Sequence, residues 1–348
     1  MENILITGSS GFIGYHLTKR LLEDGNYKVI GIDNMNDYYD TELKQSRLKE
    51  LSKYKNFEFY NLDIENKEDI ELVFKNNKPK IVVNLAGRAG VRASNELKKA
   101  YIDTNIIGFY NILELCSNYN IEHLIYASSS SVYGDNKNVP YKEEYDTNEP
   151  VSIYAATKKC DEILAHVYSS INNLTTTGLR FFTVYGPFGR PDMAYFKFTK
   201  KLLNDEKVEV YNKGNLRRDF TYIDDIVEGI TRVINNKPKT KYNIYNIGNE
   251  NPKNLVDFIN LLASELKEQG LLPNNFDINE KLDYVDMQKG DVYETYSDTS
   301  KFYNDFEYKP KVNLEDGIKE FVNWYTEYYK NNNDTLDDQS NSKKYILK

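Results

Sequence analysis

The sequence predicts an α/β protein: a doubly wound parallel sheet with helices on both faces, followed by a smaller mixed α/β C-terminal region. Three observations carry this. Short β-rich runs alternate with helix-length stretches from the first residue, the rhythm of parallel strands joined by helical crossovers. The runs ILIT and IVVNLA are apolar at consecutive positions, as strands covered on both faces must be. A glycine-spaced turn, Gly8-x-x-Gly11-x-x-Gly14, follows the first strand directly and opens the first helix.

In chain order, strands are expected at residues 3–7, 28–32, 57–61, 81–85, 123–127 and 177–182, with helices at 13–24, 101–118 and 154–172 among them. The rhythm breaks after Thr183, where prolines and glycines cluster in VYGPFGRPDM. A helix at 224–233 and a strand at 242–247 come next. A mixed region then holds helices at 255–269 and 314–329. The expected division is a cofactor domain over 1–182, to which 217–248 returns, and a second domain over 183–216 and 249–330. A polar, mobile tail is expected at 331–348.

Composition excludes several function classes. Forty-five Lys and Arg against 53 Asp and Glu give a net charge of −8, so the average surface repels nucleic acid. Cys116 and Cys160 form no CxxC pair, and His16, His123 and His166 no HxxxH pattern; neither a disulfide framework nor a metal site is expected. No apolar run approaches the roughly 20 residues of a membrane span. MENILITG opens as a strand without a basic leader or cleavage site, which predicts a cytoplasmic protein. Thirty tyrosines accompany one Trp, but Asn and Lys are also very frequent, so codon bias explains the excess and it carries no function.

The glycine turn is where backbone must turn sharply, approach a pyrophosphate and let a helix pack on a strand. The helix N-terminus offers free N–H groups and a positive dipole end. Asp33 ends the second strand about twenty residues beyond the last glycine. A carboxylate there accepts the two adenosine ribose hydroxyls and repels a 2′-phosphate, which favours NAD over NADP. Asp63 and Ile64 are placed to flank the adenine. Leu85, Ala86 and Gly87 end the fourth strand under the cofactor. The expected fold is therefore Rossmann-type.

Tyr154-x-x-x-Lys158 opens a helical stretch, and a spacing of four puts both side chains on one face. An ammonium beside a phenol stabilises the phenolate and makes it a base. The pattern is common by chance in a chain rich in both residues. Its partner discriminates: Ser128, Ser129, Ser130 and Ser131 follow the apolar fifth strand directly, where a hydroxyl can hold a substrate oxygen beside Tyr154.

Together these residues resemble the extended short-chain dehydrogenase/reductase family over nearly the whole chain to about Tyr329. DNMNDYYD, AGVR, SSSSVYG, SIYAATKK, TTGLRFFTVYGPFGRPDM, RRDFTYIDDIVEG, YNIGN and GDV look like UDP-glucuronate 4-epimerases within it. The resemblance implies a tightly bound NAD that is not consumed. Tyr154 takes the proton of the sugar 4-hydroxyl, C4 gives hydride to NAD, and the 4-keto sugar turns its other face before the hydride returns. Ser129 aligns with the family's catalytic Ser/Thr. Gly8, Gly11, Phe12, Ile13, Gly14, Asp33, Asn34, Asp63, Ile64 and Leu85–Arg88 are implied at the cofactor. Asn105, Ala127, Ser128, Tyr154, Lys158 and Phe181 complete that set.

For the UDP-sugar the resemblance implies Ser129, Ser130, Ser131 and Tyr154. Thr183 and Arg190 are implied near the sugar carboxylate, and Arg218 and Asp291 at the diphosphate and ribose. A 4-keto uronate is a β-keto acid that loses carbon dioxide once its carboxylate bond aligns with the carbonyl π system. Arg190 and the serines would hold it out of alignment. Resembling dehydratases carry Asp-Glu after the catalytic Thr, and decarboxylases a Glu two residues after it. Ser130 and Ser131 stand there instead and argue against both reactions.

Where the family usually has Gln, this chain has Arg88, which leaves UDP-glucose or UDP-N-acetylglucosamine epimerisation open. A further reading, an NAD-binding sensor without chemistry, could dispense with Tyr154, Lys158 and Ser129. The family also implies a homodimer through helices 101–118 and 154–172, with Ile106, Tyr110, Leu113, Ile163 and Val167 on the paired faces, and a bacterial role in surface-polysaccharide synthesis.

Overall fold

A computed structural model describes residues 1–288 and 290–336. Six strands alternate with helices through the first half: β1 (Glu2–Thr7), β2 (Tyr27–Asp33), β3 (Phe57–Asn61), β4 (Ile81–Asn84), β5 (His123–Ser129) and β6 (Thr176–Phe181). A seventh, Tyr242–Ile247, pairs with β6. The sheet is parallel throughout, in the order Tyr242–Ile247, β6, β5, β4, β1, β2, β3. The chain winds outward from β1 through β2 to β3, then restarts on the other side of β1 with β4. A crevice opens at such a reversal, beyond the C-terminal ends of the strands.

The apolar runs behave as two-faced strands. Ile4, Leu5 and Ile6 are each fully buried, with Ile4 and Ile6 in one core layer and Leu5 in the other. Alternate side chains of one strand thus anchor helices on opposite faces. Emptying one such position, as in Leu5→Ala, costs about 2–5 kcal/mol.

α1 (Phe12–Asp24) is capped at its start by Gly11, which offers no side-chain bond, and ends at Gly25 in the left-handed region. α2 (Thr41–Leu51) and α3 (Lys67–Asn77) supply crossovers whose bounds the sequence reading did not give. α2 has a weak apolar stripe, because it buries Lys44 and Arg47 beside Leu43 and Leu51. The expected 101–118 helix is three pieces: Lys98–Tyr101, a π-helical Ile102–Gly108, and Phe109–Asn118. The Ile153–Asn172 helix starts on Ser152, whose Oγ accepts from Ala155 N at 3.1 Å, and stops at Asn173 in the left-handed region.

Past β6, three short strand pairs replace the large sheet: Thr183–Tyr185 with Phe220–Tyr222, Arg217–Arg218 with Lys253–Asn254, and Val208–Val210 with Leu282–Tyr284. Phe220 stacks on Phe258 of the Leu255–Glu268 helix at 4.4 Å between centroids. The last helix runs Leu314–Leu336, so residues 331–336, expected to be mobile tail, continue it; residues 337–348 of that expected tail lie outside the described residues. Phe321 and Tyr325 of this helix pack against Tyr195 and Phe196. Among the described residues no helix is long and apolar enough to cross a membrane.

Candidate active site

A cleft of about 910 Å³ opens at the C-terminal ends of the central strands and continues to the segments around 209–220 and 290–295. Its floor is the glycine turn. Gly8 sits at φ +69°, and a Cβ there would lie 2.7 Å from Ala86 N, across the β1–β4 reversal. A Cβ on Gly14 would lie 2.0 Å from Gly8 O, so helix α1 could not seat against the turn. Gly11, Phe12, Ile13 and Gly14 line the cleft, and the uncapped first turn of α1 is left with N–H groups suited to an anion.

Asp33 is buried at the end of β2. Its carboxylate accepts from Ser10 N (3.1 Å) and Met35 N (2.9 Å) and pairs with Lys44 Nζ (3.4 Å). Asn34 Nδ2 donates to Asp63 Oδ2 at 2.7 Å and ties the ends of β2 and β3 together. Asp63, Ile64, Leu85, Ala86, Gly87 and Arg88 form the adjoining wall. These groups fit a dinucleotide: N–H groups for its diphosphate, and a carboxylate for a ribose diol.

Asn105 is not on this wall. Its Oδ1 accepts from Arg88 N at 2.7 Å, and its Nδ2 donates to Arg88 O at 3.0 Å and Thr157 Oγ1 at 2.9 Å. All of its amide is thereby engaged behind the cleft. Asn105 thereby braces the Gly87–Arg88 edge. The π-helical turn supplies that brace, and the sequence pattern carried no sign of it.

Tyr154 and Lys158 both face the cleft from the first turns of the Ile153–Asn172 helix, with Lys158 buried. The Tyr154 ring meets Tyr101 edge to face at 6.3 Å. A Cβ on Gly87 would stand 3.6 Å from Lys158 Nζ, so the end of β4 runs directly beside the ammonium. Ser129 ends β5 and caps the short turn Ser130–Tyr133; its Oγ accepts from Ser131 N (3.1 Å) and Ser131 Oγ (2.9 Å). Ser129, Ser130 and Ser131 line the cleft together. Ser128 also borders it, but its hydroxyl points to the other side and donates to Glu162 Oε1 at 2.7 Å. Ala127 and Phe181, on the adjacent strands β5 and β6, complete this wall.

The cleft is also lined by cationic groups. Arg190 directs Nε to Asp192 Oδ1 at 3.0 Å and Nη2 to Ala89 O at 3.2 Å. Burial disfavours its charge, but the Asp192 carboxylate outweighs that and holds the guanidinium protonated. Arg218 donates to the carbonyls of Arg217 and Tyr293 and makes no ion pair among the described residues. Burial lowers its proton affinity, with Asp291 opposing. Asp291 pairs with Arg92 Nη2 at 2.9 Å, and the Arg92 guanidinium lies 4.2 Å over the Tyr211 ring. Thr183 borders the cleft and is fixed through its N–H to Asp219 O.

Several residues of the site escaped the sequence reading. Ala89 O accepts from Tyr38 Oη (2.8 Å), Tyr101 Oη (3.1 Å) and Arg190. Gly90 (φ +118°) allows that turn, since a Cβ would stand 3.0 Å from Tyr38 Oη. Arg47, fully buried on α2, donates to Ser10 O at 2.9 Å, Tyr39 Oη at 2.7 Å, Phe188 O and Gly189 O. No short-range pattern marks these residues, because most of their bonds run to backbone carbonyls distant in sequence.

Comparison with known proteins agrees with this geometry. Residues 4–248 match the NAD dependent epimerase/dehydratase family. The chain is 48% identical to Protein CapI of Staphylococcus aureus over 344 residues, covering 94% of this chain and 99% of that one. It is 40% identical to UDP-glucuronate 4-epimerase 4 of Arabidopsis thaliana, covering 94% of this chain and 76% of the relative. The crystal structure of UDP-glucuronic acid 4-epimerase from Bacillus cereus, in complex with UDP-glucuronic acid and NAD, superposes with a TM-score of 0.86 at 31% identity, covering 94% of this chain and all of that one. A glycine cradle that only glycine fits, a buried Asp33 and a Tyr154/Lys158 pair at one cleft, in a chain so matched, place it in the NAD-dependent epimerase/dehydratase family.

Proposed function

We propose that the chain is a UDP-glucuronate 4-epimerase, an isomerase that interconverts UDP-glucuronate and UDP-galacturonate through a 4-keto sugar. The observation that carries this reading is the layout of the cleft. One cleft is lined together by the Tyr154/Lys158 pair, the hydroxyls of Ser129, Ser130 and Ser131, and the guanidinium side chains of Arg190 and Arg218. NAD, when bound, accepts the hydrogen of C4 with its electron pair and gives it back. Gly8, Gly11, Gly14 and the first turn of α1 would hold its diphosphate, and Asp33 its adenosine ribose.

The rest is the work of the chain's own groups. Tyr154 Oη takes the 4-hydroxyl proton as the carbonyl forms and returns it when the carbonyl is reduced, with the buried Lys158 ammonium stabilising the phenolate. Ser129 donates to the sugar O4, and Ser131, already bonded to it, orients that donor. Arg190 and Thr183 take the carboxylate, and Arg218 takes the diphosphate. Ser130 and Ser131 provide no carboxyl group to eliminate water or drive decarboxylation. In this reading residues 1–182 with 217–248 form the cofactor half, and 183–216 with 249–330 form the sugar half. The enzyme works in the cytoplasm and supplies a sugar donor for polysaccharide synthesis.

The reading includes a homodimer. Ile102, Ile107 and Tyr110 on one helical segment, and Ile163, Val167 and Ile171 on the next, are exposed apolar side chains that a second copy would cover. Leu113, expected on this face, is fully buried in the core and cannot contribute; it points inward from the turn after the π-helix.

Parallel incubation with UDP-glucuronate, UDP-glucose and UDP-N-acetylglucosamine, with products resolved by NMR, tests the substrate. Conversion of UDP-glucuronate to UDP-galacturonate is expected. Conversion of only the other two would replace the uronate assignment with a neutral-sugar epimerase. No conversion of any, with no sugar-dependent reduction of bound NAD, would favour a sensor.

A further inference from the structure

Lys158 has a buried partner of its own. Its Nζ lies 3.1 Å from Asp161 Oδ2, one turn further along the Ile153–Asn172 helix, and the two side chains are 6% and 1% exposed. The other oxygen, Asp161 Oδ1, is buried without a hydrogen-bond partner among the described residues. A carboxylate so placed depends on one cation for nearly all of its compensation.

The neighbours offer it nothing more. Glu162, next on the helix, is neutralised elsewhere: Arg180 of β6 grips it with two bonds of 2.8 Å, and Ser128 donates to it at 2.7 Å. Tyr126 of β5 feels the Asp161 charge, but burial holds its phenol protonated. Cys160, also on the helix, has its thiol pushed up by burial and then by Asp161. Tyr242, on the strand beyond β6, acts on Tyr126 and Glu162 and is itself kept protonated by burial. The charges acting on Asp161 itself are Lys158, which favours its ionisation, and Glu162, which opposes it.

We infer that Asp161 is a positioning residue for the acid/base pair: through the Lys158 ammonium it sets how much positive field reaches Tyr154 Oη, and with it the pH at which the enzyme becomes active. The inference rests on Tyr154 and Lys158 being that pair and is independent of which sugar is turned over. While Asp161 holds its proton, the Lys158 charge acts on Tyr154 undiminished. Once ionised, a carboxylate 3.1 Å from Nζ cancels part of that charge. Burial raises the Asp161 carboxyl to about 7, Lys158 opposing, so the change falls in the working range. A carboxylate at Asp161 and a phenolate at Tyr154 would then draw on the same ammonium, so each anion opposes the other.

Two measurements test this. Asp161→Asn keeps the shape and an acceptor for Lys158 but removes the negative charge at every pH. The acid limb of its kcat/KM profile should move to lower pH by about one unit, with the plateau little changed. A purely structural role would lower the rate without moving the limb. Superimposable limbs would overturn the inference. The second measurement needs no change at Asp161: carbon-13 NMR of aspartate carboxyls in the NAD-loaded protein and in its Tyr154→Phe variant. Coupling is reciprocal, so one carboxyl that titrates near neutrality should move to a lower midpoint when the phenol is removed. No responsive carboxyl overturns the inference, even if Asp161→Asn fails to fold. A Tyr154→Phe enzyme with full activity would instead remove the acid/base assignment itself.

Discussion

Arg190 and Asp192 form an ion pair two residues apart, with Nε on Oδ1 at 3.0 Å and Nη2 on Oδ2. The same Nη2 also reaches Ala89 O. The guanidinium is thus already oriented on the cleft wall, and under the proposed function a sugar carboxylate would meet an aligned cation. Arg190→Ala should lower kcat/KM for UDP-glucuronate by roughly 10- to 100-fold, the value of a lost charged hydrogen bond. A neutral UDP-hexose should be barely affected. Arg190→Lys should do nearly as badly, because a point charge cannot serve Asp192 and Ala89 O together. Normal UDP-glucuronate kinetics in Arg190→Ala would remove Arg190 from carboxylate recognition.

Tyr154 and Lys158 make a sharper prediction. Tyr154→Phe deletes the proton acceptor but leaves the ring on Tyr101. The rate should fall by about 10²–10⁴-fold. NAD content and thermal stability should stay near those of the unaltered enzyme, since among the described residues the Tyr154 hydroxyl has no hydrogen bond that the fold would lose. Loss of NAD or of folding along with activity would show a structural role instead.

If Asp33 selects the cofactor, as its place at the end of β2 leads us to expect, its pairing with Lys44 makes a prediction. The Lys44 ammonium is 3.4 Å from Asp33 Oδ1 and is buried with it. Removing the carboxylate alone, in Asp33→Ser, leaves an unpaired cation where a 2′-phosphate would sit. NAD should bind about 10-fold more weakly, and NADP should become a competitor, both measurable by fluorescence titration of protein stripped of cofactor. Unchanged rejection of NADP would place the discrimination elsewhere.

These residues show where sequence reasoning reached and where it stopped. The glycines, Asp33, Tyr154 and Lys158 sit at fixed short spacings, because a turn or one helical face dictates them; a spacing can be read directly. The strands were legible because burial on both faces demands unbroken apolar runs such as Ile4–Leu5–Ile6. α2 was not, because it buries Lys44 and Arg47, and buried charge looks like surface in a linear sequence. The π-helical turn at Ile102–Gly108 keeps the periodicity of an α-helix closely enough to hide within it, although it is what brings Asn105 to Arg88. Asp161 was passed over because i,i+3 pairs of Lys and Asp are usually solvated.

The exposed apolar helical face predicts the assembly. Ile163→Asp with Val167→Lys puts opposite charges four residues apart on one helix, where they support each other in water. Buried against a second copy they would be costly. Light scattering should show a monomer for the variant and a dimer for the unaltered chain. A monomer in both cases would leave this face without a second copy as its occupant.

Arg47 predicts a loss that activity assays alone would misread. Its guanidinium joins three loops: Ser10 in the glycine turn, Tyr39 in the segment before α2, and Phe188 and Gly189 just before Arg190. Arg47→Ala strands three loop carbonyls, at Ser10, Phe188 and Gly189, and empties a large side-chain volume. Destabilisation of about 3–5 kcal/mol is expected. Arg47→Lys should recover little, because one ammonium cannot bridge carbonyls on separate loops. Since the clamp ties the cofactor turn to the Arg190 turn, both variants should also raise KM for UDP-glucuronate and release NAD at lower temperature than the fold melts. Parallel thermal scans of NAD fluorescence and of circular dichroism separate the two events. Coincident transitions at the unaltered temperature would mean that the three loops hold together without Arg47.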